Sequence, residues 1–577
     1  MSANYLPPAD ARRAASVLLV RDGDSGLEVL MLRRAERDGD PRGGAAVFPG
    51  GVVDARDAQA GPWCLGPGDE EASRLLGVAS GGLGYFVAAV RETFEEVGLL
   101  LAERATDAPD AALPINLPAL YPHREPLNGG ALSAADFAQA QGLRWDLRGL
   151  VYHSHWLTPR TVPKRFDTRF FIAHAPAGQQ AQADMGEAVE LMWLTPAAAL
   201  DPQRGLKLMP VTMRSLQDLA RQPDAASAIE AARQRQQAVT LIEPRVAQNA
   251  RGRHVVLPGD LPWAEVGRLD PEGQGYAFCD LVPGRVVQLS PHVLRVTASN
   301  PGPMTGPGTN SYLVAAARLG DDGLRHWTVI DPGPEAGAEG DSHLQALLAA
   351  AQHGGPGRIT QILVTHTHRD HSPLAAALAQ ATGAPVYGRV AAHPMWQDAH
   401  FAPQRQLQHG ERLALGEGCT LRVLHTPGHA SNHLCYLLEE ELTLFTGDHV
   451  MQGSTVVINP PDGDMVAYLQ ALSALLDEPL QWLAPGHGFL VEQPHQVLRD
   501  LIAHRLRRHG KVGAALAASG RATLDELLPL VYDDVPVALH GVARRSLLAH
   551  VLKLQHDGQA AREGHDDDGP WHWTAAA

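Results

Sequence analysis

The run Thr365-His366-Thr367-His368-Arg369-Asp370-His371 constrains this chain more than any other stretch. Three histidines and an aspartate fall within six residues. Ile362-Leu363-Val364 before it reads as a buried strand, and Leu374 to Ala379 after it reads as a helix. The cluster therefore sits on the turn from a strand into a helix. Imidazole and carboxylate are ligands that zinc accepts near neutral pH. A tight turn aims several near-adjacent side chains into one small volume, which a straight strand or helix does not. The competing reading is a polar loop in a chain with 28 histidines.

Repetition downstream favours the metal. Thr420 to Leu424 leads into His425-Thr426-Pro427-Gly428-His429, Leu442 to Phe445 into Thr446-Gly447-Asp448, and Trp482 to Ala484 into Pro485-Gly486-His487-Gly488. Each is an apolar strand ending in a small turn and a ligand-type residue. Upstream, Trp327 to Ile330 ends in Asp331, and a carboxylate at a strand end is a common orienter of ligand histidines. The segment from Asn300 to Val314 opens as a Gly/Pro loop and closes as a strand that contains Asn310.

This set resembles the metallo-β-lactamase fold, an αββα sandwich of hydrolases with the pattern T-H-x-H-x-D-H, then His, then Asp, then His. The resemblance implies one zinc on His366, His368 and His429 and a second on Asp370, His371 and His487. Asp448 and a hydroxide would bridge them, and Asp370 counts among the catalytic residues. Lactam-hydrolysing members usually carry Cys at the Asp448 position, so the aspartate points away from antibiotic hydrolysis and towards thioesterases and nucleases. Asn300-Pro301-Gly302-Pro303-Met304 with Gly308-Thr309-Asn310 looks like the β-lactamase-like protein 2 group. Asn310 and Asp331 would support the site. The animal member of that group cleaves single-stranded RNA, so RNA phosphodiesters stand beside thioesters as the implied substrates.

The first half has a different centre. Ala15 to Val20 and Leu27 to Leu32 read as a hairpin, and Phe48-Pro49-Gly50-Gly51 follows. Phe86 to Leu101 reads as a helix that carries Arg91-Glu92-Thr93-Phe94-Glu95-Glu96-Val97-Gly98-Leu99. Glu92, Glu95 and Glu96 share a helix face, where a hard cation such as Mg²⁺ or Mn²⁺ would relieve their repulsion. A solvated acidic face is the competing reading. With the Gly-Gly turn, the region resembles the Nudix hydrolase box, on an α/β/α sandwich. That implies Glu95 and Glu96 as metal ligands, Glu92 as a further ligand or general base, and Arg91 as their orienter. Asp57 stands at the family's first-half glutamate, and 33 residues separate it from Arg91 where the family has seven. This long insert looks like the branch that holds coenzyme A diphosphatases. The stretch Gly61 to Gly84 is expected as a flexible loop over the site.

The organisation expected is an α/β multidomain chain. Residues 1–268 form the Nudix-like domain, with its box interrupted by 58–90, and 269–283 form a linker. The lactamase-like domain spans 284–493 and a winged-helix-like cap 494–577. The cap's basic helix (His504, Arg505, Arg507, Arg508, Lys511) suggests RNA contact, whereas Asp566-Asp567-Asp568 counts against it. A net charge of −16 argues for small substrates such as a CoA or nucleotide derivative. Four cysteines without a C-x-x-C pair, no secretory leader and no spanning apolar run lead to the expectation of a soluble, cytoplasmic protein with no membrane partner. The function expected is bifunctional hydrolysis, of a diphosphate by the first half and of a thioester or phosphodiester by two zinc ions in the second. The alternative makes the first half a nucleotide sensor for a single zinc hydrolase.

Overall fold

The computed structural model describes residues 5–36, 43–105, 114–184, 188–335, 338–393, 397–564 and 567–574. Asp566 lies outside them. Two compact units divide the chain. The first holds 1–246, 255–258 and 273–275, and the second holds 247–254, 259–272 and 276–577.

In the first unit, Ala11–Gly23 and Gly26–Arg34 form the expected hairpin, paired from Val20↔Val29 to Gly23↔Gly26. The hairpin lies in a nine-stranded sheet, with Arg165–His174 running parallel to the first strand. Alternation along Val17 to Val20 serves both faces. Val17 and Leu19 join the core that contains Phe86, Val90 and Phe94, while Leu18 and Val20 join the core that contains Leu216, Leu219 and Ile229. Helices thus cover both faces, the α/β/α arrangement. The central helix runs Gly82–Val97 and stops at Gly98, whose φ of 67° suits glycine and whose N–H returns to the Phe94 carbonyl.

The expected flexible loop is instead a built element. Asp57–Trp63 is a 3₁₀ turn, Cys64–Leu65 a short strand and Asp69–Leu76 a helix. Ala60, Ala72, Leu76 and Leu83 are buried in the main core. The Gly and acidic content masked these apolar positions.

The second unit stacks two sheets. Seven strands run in the order Val286–Gln288, Val293–Thr297, Asn310–Val314, Arg325–Ile330, Gly357–Leu363, Val386–Gly388, Arg405–Gln406. Six run Arg412–Gly416, Cys419–His425, Leu434–Leu438, Thr443–Gly447, Trp482–Pro485, Val491–Glu492. Tyr312, Ile330 and Leu363 of the first meet Val423, Tyr436 and Phe445 of the second in one core. Ala338–Ala350 and Ala375–Thr382 cover the first sheet and Met465–Leu475 the second, completing αββα. The 26-residue helix Pro494–Ser519 then leads into Leu524–Val531, His540–His556 and a three-stranded wing of Arg521–Ala522, Trp571–Trp573 and Ala560–Arg562. A Thr523/Glu526 capping box opens the second of these helices.

The sequence reading ends the first domain at 268, whereas Trp263–Leu269 packs in the second unit. There Glu265 pairs with Arg295, with both side chains buried (2.6 and 2.8 Å), and accepts from the Leu490 N–H. Among the described residues, no helix is long and apolar enough to cross a membrane.

Candidate metal centre

Four strand-end turns deliver the lactamase-type residues to one place. His366, His368 and His429 bring ligand atoms within 4.8 Å of one another, and so do Asp370, His371, Asp448 and His487. In the first group, His368 Nδ1 lies 3.0 Å from both His366 Nε2 and His429 Nε2. In the second, His487 Nε2 lies 3.2 Å from Asp370 Oδ2 and 3.3 Å from Asp448 Oδ1. His371 Nε2 is 3.4 Å from the same two carboxylates. Asp448 spans the groups, with Oδ1 in the second and Oδ2 3.7 Å from His429 Nε2.

Support comes from distant strands. Asp331, at the left-handed φ of 53°, accepts from Thr365 N–H (2.7 Å), Thr365 Oγ1 (2.7 Å) and His371 Nδ1 (2.8 Å). That fixes the His371 tautomer and leaves Nε2 facing the group. Asn310 donates to the carbonyls of Pro485 (3.1 Å) and Gly488 (2.8 Å), bracing the turn that carries His487. Gly486 must be glycine, since a Cβ would stand 2.7 Å from Asp448 Oδ1 and 2.8 Å from His371 Cε1.

The two groups differ electrostatically. Burial and the neighbouring His429 hold His368 at about 3, and burial with its neighbouring rings holds His366 well below the ordinary range. These rings stay neutral and keep lone pairs for a cation. In the second group burial again works downward, but the carboxylates outweigh it. Asp370, Asp448 and Asp331 carry His371 well above its ordinary value, and Asp448 with Asp370 carries His487 to about 10. Among the described residues, His371 Nε2 and Asp448 Oδ1 are buried and, beyond long ion-pair contacts, have no well-aligned hydrogen bond. Convergent ring nitrogens and orphaned polar atoms are the signature of a cation site, and five imidazoles with two carboxylates fit a divalent metal.

The box helix is arranged differently from its sequence expectation. Arg91 reaches Asp57 through Nε (3.0 Å) and Nη2 (3.1 Å), Glu95 through Nη1 (2.9 Å) and Glu92 through Nη1 (3.0 Å). Glu95 is thus turned into the interior towards Arg91. Burial pushes its carboxyl above the ordinary range while Arg91 pulls it back. Glu96 accepts from the Gly50 N–H (2.8 Å), and a Cβ on Gly51 would stand 2.4 Å from Glu92 Cδ. Among the described residues no three ligand-type atoms converge here. One helix face carries all three carboxylates in sequence, but the guanidinium four residues before Glu95 claims that one.

Sequence reasoning missed Ser311 and His343. Ser311 Oγ donates to the Asp331 carbonyl (2.5 Å), and His343 Nε2 lies 2.8 Å from that hydroxyl. No spacing signal links these residues. It also missed the Glu265–Arg295 pair.

A family model for the metallo-beta-lactamase superfamily matches residues 304–487, one for the NUDT19 Nudix domain 69–210, and one for the beta-lactamase associated winged helix domain 523–571. An atrochrysone carboxyl ACP thioesterase of Aspergillus chevalieri is 32% identical over 290 residues, covering 48% of this chain and 85% of that protein. The chain belongs to the metallo-beta-lactamase superfamily. This superfamily member carries a Nudix domain before its lactamase fold and a winged helix after it, and it is a hydrolase. A beta-lactamase-like protein 2 homolog of Drosophila melanogaster is 29% identical over 288 residues, covering 48% of this chain and 92% of that one. Among solved structures, a beta-lactamase domain protein from Burkholderia ambifaria matches at TM-score 0.45 and 20% identity, covering 52% of this chain and 96% of that one. A NUDIX hydrolase from Alicyclobacillus acidocaldarius matches at TM-score 0.31 and 27% identity, covering 38% and 96%.

Proposed function

We propose that the second unit is a dinuclear zinc thioesterase and that the first hydrolyses a diphosphate linkage in a CoA or nucleotide derivative with Mg²⁺ or Mn²⁺. The observation that carries the dinuclear reading is Asp448, with one carboxylate oxygen at each group of ligand atoms. His366, His368 and His429 would hold one zinc and Asp370, His371 and His487 the other. When bound, the pair supplies Lewis acidity and a water made acidic enough to lose its proton near neutral pH. Asp331 keeps His371 presented through Nε2, Asn310 keeps the His487 turn in register, and Asp370 holds charge at the mouth of the second group.

Two observations favour a thioester over RNA. The curated relatives include thioesterases. Three basic side chains of the winged-helix region are also engaged in ion pairs: Arg508 with Asp534 (2.8 Å), Lys511 with Asp533, and Arg544 with Asp525 (2.7 Å) and Asp568 (2.6 Å). A phosphate backbone would have to displace these carboxylates.

In the first unit, Glu92 and Glu96 beside the Gly50–Gly51 turn are the groups for the cation and the general base. Arg91 bonds Asp57, Glu95 and Glu92, so four carboxylates, with Glu96, stand around one guanidinium, an excess of negative charge that suits a divalent ion.

The test is a panel of acyl-CoAs, S-lactoylglutathione, CoA and single-stranded RNA against wild type, Asp448→Ala and Glu96→Gln, with metal analysis. Asp448→Ala is expected to lower thioester hydrolysis by at least about a hundredfold and leave diphosphate cleavage intact, with Glu96→Gln doing the reverse. Two zinc equivalents per chain are expected. RNA cleavage lost in Asp448→Ala with no thioesterase in wild type would overturn the substrate reading. Iron in place of zinc would overturn the metal reading. Diphosphate cleavage absent from wild type, with nucleotide altering the zinc activity, would make the first unit a sensor.

A further inference from the structure

His429 reaches the first group from a turn, and one backbone carbonyl takes its ring N–H. Its Nδ1 lies 2.7 Å from the Val457 carbonyl, which takes the ring N–H and leaves Nε2 towards His368. Val457 sits in a segment without helix or strand, 451–464. An irregular segment cannot hold a carbonyl in place by a ladder of its own, so something outside it must do so.

That support comes from the C-terminal helices. Val456 and Ile458 are buried in one cluster with Leu498 of Pro494–Ser519 and Ala549 of His540–His556. Arg505, midway along the long helix and 3% exposed, donates through Nη2 to the Val456 carbonyl, next to the carbonyl that His429 uses. Its guanidinium lies 5.4 Å from the ring centre of Tyr468, whose hydroxyl donates to the His449 carbonyl (2.9 Å) beside Asp448. Among the described residues Arg505 forms no ion pair, and its Nε is buried without a partner. A buried cation without a carboxylate is costly, so its retention at this carbonyl calls for a role there. The same helix buries Val512 and Leu516 in the winged-helix core, so it runs from that core to the segment under His429.

We propose that Arg505 is a positioning residue for the first metal group. It fixes the 456–457 backbone, which sets the tautomer and aim of His429, so that the winged-helix region completes the zinc site. The inference rests on the dinuclear reading given above.

The experiment is stepwise zinc titration of the full chain against a chromophoric chelator. The proteins are wild type, His366→Ala, Arg505→Met, Arg505→Lys and Leu516→Ala, with melting temperatures measured in parallel. His366→Ala identifies the step that belongs to the first group. Arg505→Met is expected to weaken that step by about 10–100-fold and leave the other unchanged, with Arg505→Lys recovering part of the loss. Leu516→Ala, which loosens the winged-helix core away from the site, is expected to melt earlier with both steps intact. The inference is overturned if Arg505→Met titrates like wild type, if both steps weaken together, or if Leu516→Ala weakens the first step as much. If wild type shows no step that His366→Ala removes, the dinuclear reading falls and the inference falls with it.

Discussion

Asp331 is a single residue asked to do two things. Its backbone holds a left-handed φ of 53°, secured by Ser311 on its carbonyl, and its carboxylate serves Thr365 and His371. Asparagine tolerates that backbone better than most residues but presents an amide N–H where His371 Nδ1 also donates. Asp331→Asn is therefore expected to weaken metal binding by about 10–100-fold with little change in melting temperature. Asp331→Ala is expected to lose the metal and to melt earlier, since it also strains the backbone and strips partners from buried Thr365. Zinc titration and heat denaturation separate the two. Legibility also varies residue by residue. Asp331 shows in sequence because it ends an apolar strand. His343, twelve positions on, carries no such mark, because only the packing of its helix against the Asn310–Val314 strand brings it to Ser311.

At the level of elements, the helix Gly82–Val97 and the turn at Gly50–Gly51 form a matched pair. Gly51 has an ordinary backbone, so alanine there folds, but its Cβ would meet Glu92 Cδ at 2.4 Å. Gly51→Ala is expected to displace the Glu92 carboxylate and remove most diphosphate cleavage, at a cost of less than about 1 kcal/mol in unfolding. Activity and denaturant melts check this. The His540–His556 helix offers a pH test. His550 is fully buried on it and, among the described residues, neither ring nitrogen has a hydrogen-bond partner; burial first, then the charges of Arg505, His509, Arg508 and His504, hold it well below its ordinary value. The unfolded chain takes up a proton near pH 6.5 that the folded ring refuses. Its stability contribution is thus complete above about pH 6.5 and is lost as the pH falls, by up to about 1.4 kcal/mol per pH unit. His550→Phe is expected to flatten the fall in melting temperature between pH 7 and pH 5. An unchanged slope would show that other groups control it.

Across the whole molecule, each unit has its own core, so calorimetry is expected to resolve two unfolding transitions. A metal held in the second unit would stabilise that fold alone, so chelation is expected to lower one transition and leave the other in place. A single transition that shifts as one would refute this. The sequence by itself determined the two hydrolase folds in their order, the winged helix after them, and the convergence of the seven lactamase-type residues. It could do so because these residues all fall on four short turns that follow apolar strands, and a strand end is a local property of apolar runs and small residues. The tertiary structure alone decided which partner each side chain took. It turned Glu95 inward to Arg91, packed the expected loop 61–84 as a helix and a 3₁₀ turn, tied Arg508, Lys511 and Arg544 to aspartates, and brought Arg505 to the Val456 carbonyl. Those outcomes depend on contacts between residues tens of positions apart, and no local pattern of charge or hydropathy encodes them. The run at His366 to His371 was legible from the start, but the backbone next to the carbonyl that takes the N–H of its partner His429 is bonded from a helix that begins at Pro494.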